Sequence, residues 1–167
     1  MRRPFHLIVV AAASLVLAAC VPRLPLPSTR EANDAQIATD TLLRFLSELH
    51  EGRYEEAAAL YGGTYDTMID HNPSLDPADH AALMGNACEI NGAKCLEVEN
   101  AQLTGQPARD QFTFGLQFRQ QDGTLYVRGP CCGASETDDP PQSVFLLTVS
   151  KTPDGRFLVL DMPPYSP

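Results

Sequence analysis

Gln111-Phe112-Thr113-Phe114-Gly115-Leu116-Gln117-Phe118-Arg119 alternates strictly, with Phe112, Phe114, Leu116 and Phe118 on one side and Thr113, Gln117 and Arg119 on the other. A period of two is the signature of a β-strand with one buried face. Gln121-Asp122-Gly123-Thr124 follows as a hairpin turn into Leu125-Tyr126-Val127. Val144 to Val149 is an apolar run suited to a central strand, and Thr152-Pro153-Asp154-Gly155 turns it into the last strand, Phe157 to Leu160. Leu96 to Leu103 is assigned as the first strand, and Cys131 to Gln142 carries no pattern and is assigned as loop.

Upstream of Cys95 the period changes. Ala38, Leu42, Phe45, Leu46 and Leu49 recur at three- and four-residue spacing, which predicts an amphipathic helix stopped by Gly52. Tyr54, Ala57, Ala58 and Tyr61 form a second helical stripe ended by Gly62-Gly63, and Asp76-Pro77 reads as the cap and first turn of a third helix reaching toward Ala87. Helices first and strands afterward is an α+β order: N-terminal helices packed on a curved antiparallel sheet.

The N-terminus reads differently from the rest. Arg2 and Arg3 precede an apolar stretch from Leu7 through Leu15, and no acidic residue occurs before Glu31. A basic start, a short apolar region and small residues before a cut site mark a cleavable signal peptide, and the run is too short to span a bilayer. Leu17-Ala18-Ala19-Cys20 resembles the lipobox of bacterial lipoproteins. The resemblance implies that Cys20 takes a diacylglycerol on its thiol and, with palmitate among its acyl chains, anchors the mature chain. An ordinary signal peptide with an incidental cysteine is the alternative. Val21 after the anchor favours the outer membrane under the family's sorting rule where the cell has two membranes. Arg2-Arg3-Pro4-Phe5 partly matches the twin-arginine pattern, and general secretion is preferred because the flanking residues are missing. The chain thus divides into a signal at 1–19, a lipidated and Pro-rich tether at 20–32 (Pro22, Pro25, Pro27), and one α+β domain at 33–167. That domain faces the periplasm or the cell exterior.

Loss of the signal removes two of the 12 basic residues and none of the 21 acidic ones, leaving a side-chain charge of about −11. Such a charge repels nucleic acid and anionic headgroups, so attachment to the membrane is expected through lipid alone. Cys88, Cys95, Cys131 and Cys132 remain after the anchor, and outside the cytoplasm four cysteines point to disulfides. Pairing Cys88 with Cys95 leaves the neighbours Cys131 and Cys132 to form a strained vicinal ring, because adjacent Cα atoms lie about 3.8 Å apart. The expected connectivity therefore ties the 88/95 segment to the 131/132 segment. A zinc site on the same thiolates is the alternative, against which the spacing lacks two short Cys-x2-Cys knuckles. No Asp-x-Asp-x-Asp-Gly loop or other cofactor motif is present, so no metal and no cofactor are expected.

Gly52-Arg53-Tyr54-Glu55-Glu56-Ala57-Ala58-Ala59-Leu60-Tyr61, with the long strands at 111–120, 143–150 and 156–161, resembles the nuclear transport factor two-like superfamily. The resemblance covers most of residues 33 to 162 and implies the cone-shaped fold shared with ketosteroid isomerases; paired cysteines are not general to it. Enzymes of that superfamily work inside the cone with an Asp or His base and a Tyr or protonated Asp as oxyanion donor. Tyr65, Asp66, Asp70, His71, Asp79 and His80 supply those residue types, but no family motif maps onto them one by one. Asp66, Asp70 and His71 are the catalytic candidates if the chain is an isomerase or dehydratase; otherwise they cap turns and face water. His50 sits where a helix C-terminus favours a positive charge. Gly-x-Ser-x-Gly, His-Glu-x-x-His and a phosphate loop are all missing. The preferred reading is a lipid-anchored binding or accessory domain without catalysis, whose partner is a small apolar ligand or an envelope protein. A pocket enzyme and a purely structural component of the cell envelope are the alternatives.

Overall fold

The computed structural model describes residues 29–130 and 132–166. Helix α1 (Thr29–His50) buries Ala38, Leu42, Phe45, Leu46 and Leu49, the stripe its spacing predicts. It ends at Gly52, whose φ of +74° is a left-handed conformation open to glycine at little cost. Two short helices follow, α2 (Tyr54–Ala58) and α3 (Asp66–His71), and then α4 (His80–Glu89). The helix over 66–71 is absent from the sequence reading: six residues are too few to show a helical period. The start of α4 also differs from expectation. The Asp79 carboxylate accepts the Ala82 N–H at 3.0 Å and caps the helix, whereas Asp76 accepts from the Ala78 N–H at 2.9 Å and closes the turn before it.

Four antiparallel strands form one meander in the order β1-β2-β3-β4: β1 (Glu97–Ala108), β2 (Gln111–Arg119), β3 (Phe145–Lys151) and β4 (Phe157–Val159). Strand β1 runs past its predicted end at Leu103, and its register shifts at three places between Val98 and Ala108. Bulges of this kind bend the bulged strand and raise its twist. The 120–124 turn forms, with the Gln120 N–H donating to Thr124 O at 2.8 Å, but Leu125 makes a single bridge to Arg119 and no strand grows from it. The free edge of β4 is covered by residues 60–62: the Gly62 N–H donates to Val159 O and the Val159 N–H to Leu60 O.

Helix α1 lies across the inner face of this sheet, packed on β1, β3 and β4. Phe112, Phe114, Leu116 and Phe118 point into the interface and are at most 1 % exposed. Val149 and Val159 join them from β3 and β4, and Phe45, Leu42 and Leu46 from the helix. Burying each such side chain contributes about 1.5–3 kcal/mol. An ion pair holds one end of the layer, where Lys151 Nζ bonds both carboxylate oxygens of Asp34 at 2.7 Å. No helix among the described residues is long and apolar enough to cross a membrane.

The disulfide connectivity is a correction. Cys88 bonds Cys95, not the 131/132 segment. Cys88 sits in the last turn of α4, and the chain reverses through Gly92, at φ +89°, so that the Ala93 N–H returns to Ala87 O at 2.9 Å. The reversal leaves the two Cα atoms 5.5 Å apart, well inside the usual span of a disulfide. Cys132 is also disulfide-bonded, and its φ of +60° is left-handed; Cys131 lies outside the described residues. With Cys88 and Cys95 joined to each other, the four-thiolate zinc alternative loses two of its ligands. Cys20, the signal and the tether up to Ser28 lie outside the described residues as well.

Candidate functional site

Asp66 and His71 are the first and last residues of α3, with Asp70 beside them, and all three are exposed. Asp79 is occupied as the cap of α4, and His80 is exposed on the same rim. One association does form there. The His80 ring stacks on Tyr65, with centroids 3.8 Å apart and planes at 10°, and Tyr65 meets Tyr61 edge-on at 5.1 Å. Tyr61 in turn stacks on Phe45 of the core. Burial pushes the Tyr65 phenol up to about 12 and the Tyr61 phenol likewise, because a phenolate is poorly solvated there. Such phenols stay neutral at physiological pH, so their oxygens can donate or accept a hydrogen bond but cannot act as phenolate bases. Tyr61 donates to Thr64 O at 3.1 Å, while the Tyr65 hydroxyl finds no hydrogen-bond partner among the described residues. Among the described residues none of Asp66, Asp70 and His71 is bonded to it.

The surface clefts gather elsewhere, around the Cys88–Cys95 bridge at the other end of α1. One of about 360 Å³ is lined by His50, Cys95, Leu96, Arg119, Gln121 and others, and a neighbouring one of about 540 Å³ reaches Tyr54, Glu89 and Lys94. His50 Nδ1 lies 3.1 Å from Cys95 O. It cannot activate that cysteine as a nucleophile, since the sulfur is already in a disulfide. Tyr54 donates to Glu89 Oε1 at 3.0 Å, and Arg119 pairs with Glu99.

Glu48 is the functional-looking residue that pattern reading misses. It is 7 % exposed, beside the buried stripe of α1. Its carboxylate takes the Arg53 guanidinium and, at 3.4 Å, that of Arg44, while the Arg53 N–H donates to Glu48 O at 2.8 Å. Arg53 also grips Glu51, and that bond, with the Ser47 hydroxyl, draws the Glu51 carboxyl down to about 2. The cluster fastens the turn between α1 and α2. The sequence signal was an acid flanking the apolar stripe with arginines four residues before and five after. Asn72, also buried, donates to Met68 O and accepts from Asn86, joining α3 to α4.

The outer face of the sheet carries two exposed apolar side chains near its middle: Leu146 is 63 % and Val144 46 % exposed. They flank Gly115, where an added Cβ would sit 3.1–3.2 Å from Thr104 and Val144 methyls. Among the described residues no three His, Cys, Asp or Glu side chains gather as a metal site would need. Compared with protein-family models, with curated proteins and with solved structures, the chain matches none.

Proposed function

We propose that this chain is an exported lipoprotein, held to the cell membrane or outer membrane through Cys20, whose domain is a non-catalytic binding or accessory module with a nuclear transport factor two-like cone. The export and anchoring part is supported by the basic start, the apolar stretch and Leu17-Ala18-Ala19-Cys20. The cone is supported by the order of elements, helices first and then an antiparallel meander wrapped on α1.

One observation carries the non-catalytic reading. The space between helix and sheet, where a pocket enzyme of this kind works, is filled by Phe45, Phe112, Phe114 and Phe118, while Asp66, Asp70 and His71 stand in water. Moving protons beside a carbonyl needs an ionisable group desolvated next to substrate, and the side chains that fill the space between α1 and the sheet are hydrocarbon, with the buried Glu48 carboxylate engaged by Arg44 and Arg53. The unfolding free energies of two variants test it. Replacing Asp66, Asp70 and His71 together by Ala is expected to cost no more than about 1.5 kcal/mol, the sum of three surface changes. Phe114→Ala, which empties the interior, is expected to cost about 3–5 kcal/mol. A loss above about 3 kcal/mol in the triple variant would reveal an internal ionisable site and favour the isomerase or dehydratase alternative.

A further inference from the structure

The two ends of the domain differ in charge. Helix α1 and strands β1 to β3 run between the same two poles. At one pole the start of α1 meets the β1–β2 and β3–β4 turns: Lys151 Nζ bonds Asp34 at 2.7 Å, and the Lys151 N–H donates to Asp110 O at 2.7 Å. At the other, His50 ends α1 beside Cys95 and shares a cleft with Glu97, Arg119 and Gln121. The first pole carries Arg30, Arg109, Lys151 and Arg156 against Glu31, Asp34, Asp110 and Asp154, so its charges cancel. Of the 21 acidic residues, the other 17 lie elsewhere in the domain, and against them stand only five further basic residues, from Arg44 to Arg128. The excess negative charge therefore lies away from the N-terminus of α1.

We propose that this neutral pole is the membrane-facing surface of the domain, resting on the lipid headgroups of the bilayer that holds Cys20, with the clefts around the Cys88–Cys95 bridge opening away from it. Chain length argues first. Nine Cα steps separate Cys20 from Thr29, and they reach at most about 32 Å in any conformation. The 22 residues of α1 are about 33 Å long. With the His50 pole on the bilayer, Thr29 would stand beyond the reach of its own anchor.

Charge argues for the same orientation. An anionic surface repels the acidic remainder of the domain and acts little on a pole without net charge. Screening confines the effect to about 8 Å at physiological salt, so orientation decides which charges the headgroups meet. Lys151 and Arg156 are paired within the domain, with Asp34 and Asp154. Arg30 and Arg109 are exposed and in no ion pair among the described residues, which leaves two guanidiniums for headgroup phosphates. The inference rests on the anchored reading of Cys20 and adds a direction to it: the clefts face a ligand or protein arriving from the aqueous side.

The test uses the full lipidated chain in phosphatidylglycerol vesicles that carry a nitroxide on some headgroups. A fluorescent amino acid replaces, in three separate chains, Pro153 in the β3–β4 turn, Gln121 at the cleft pole, or Leu146 on the outer sheet face, all exposed. Strong quenching is expected at Pro153, and little at Gln121 or Leu146. Arg30→Glu with Arg109→Glu is expected to lower the ratio of Pro153 to Gln121 quenching at least about fivefold, since one basic group near an anionic surface is worth about that factor. Thermal unfolding checks that each variant is folded, and Arg30→Gln with Arg109→Gln serves if the charge reversal is not. Equal quenching at Pro153 and Gln121, the strongest quenching at Leu146, or a ratio indifferent to both arginines would overturn the proposal. Sedimentation with the vesicles reads the anchor separately. A chain that stays in solution sinks the anchor and the orientation together, whereas one that sediments and is quenched alike at all three positions overturns the orientation alone.

Discussion

Replacing Cys88 and Cys95 together by alanine removes a cross-link that closes a short loop, and the length of that loop sets the expected loss. The two cysteines are 7 residues apart. The chain-entropy relation then gives about 8 cal/mol/K, or about 2.4 kcal/mol at 25 °C. The pairing expected from sequence would have closed loops of some 40 residues and been worth about 4 kcal/mol for one bridge. The two connectivities thus differ in stability as well as in chemistry. For a domain of this size about 2.4 kcal/mol corresponds to a fall in Tm of roughly 7–10 °C. Urea unfolding of the oxidised parent and the double variant measures the difference, and both residues are replaced at once so that no lone thiol reshuffles. A loss above about 4 kcal/mol, or non-reducing peptides joining Cys88 or Cys95 to the Cys131-Cys132 segment, would refute the assignment.

Lys151→Ala is expected to cost about 1–3 kcal/mol: its ion pair with Asp34 is only 23 % and 16 % exposed, between the surface and fully buried cases. A double-mutant cycle with Asp34→Ala isolates the coupling, and a coupling near zero would show that Lys151 acts through its packing over Phe157 instead. The tyrosines give a pH signature. Burial raises Tyr61 and Tyr65 from 10.0 to about 12 in the folded chain, so the unfolded chain sheds those protons first. Their contribution is complete below pH 10 and is lost as pH rises from there through about 12. Phenolate absorbance should show Tyr61 and Tyr65 titrating late, beside Tyr54 and Tyr165, whose phenols burial also raises, with Tyr61→Phe and Tyr65→Phe each removing one late step; ordinary titration of these four would contradict the packing.

What could be read from the sequence followed from periodicity. The stripe of α1 and the alternation of β2 each span enough residues to show their period, and the structure buries those same side chains. Three things were hidden for physical reasons. Helix α3 is shorter than two turns, so no stripe can emerge. The partner of Cys88 depends on where a chain reversal at Gly92 brings the backbone back, which spacing alone does not reveal. The Leu125–Val127 segment carries strand-forming residues, but after its bridge to Arg119 the chain leaves the sheet and returns only at Phe145. The candidate site was legible as residue types and not as an arrangement: Tyr65 and His80 do meet, but as stacked rings on the rim.

The central claim is that lipid on Cys20 holds this domain to a membrane. Metabolic labelling with a radiolabelled fatty acid, followed by separation of membrane and soluble fractions, tests it in one experiment on the parent chain and on Cys20→Ser. The parent is expected to carry label and to sediment with membranes, with label released from the thioester-free diacylglyceryl cysteine only by base hydrolysis of its esters. Cys20→Ser is expected to carry no label. A Cys20→Ser chain that labels as the parent does, or a parent chain that is unlabelled and soluble, would contradict the account.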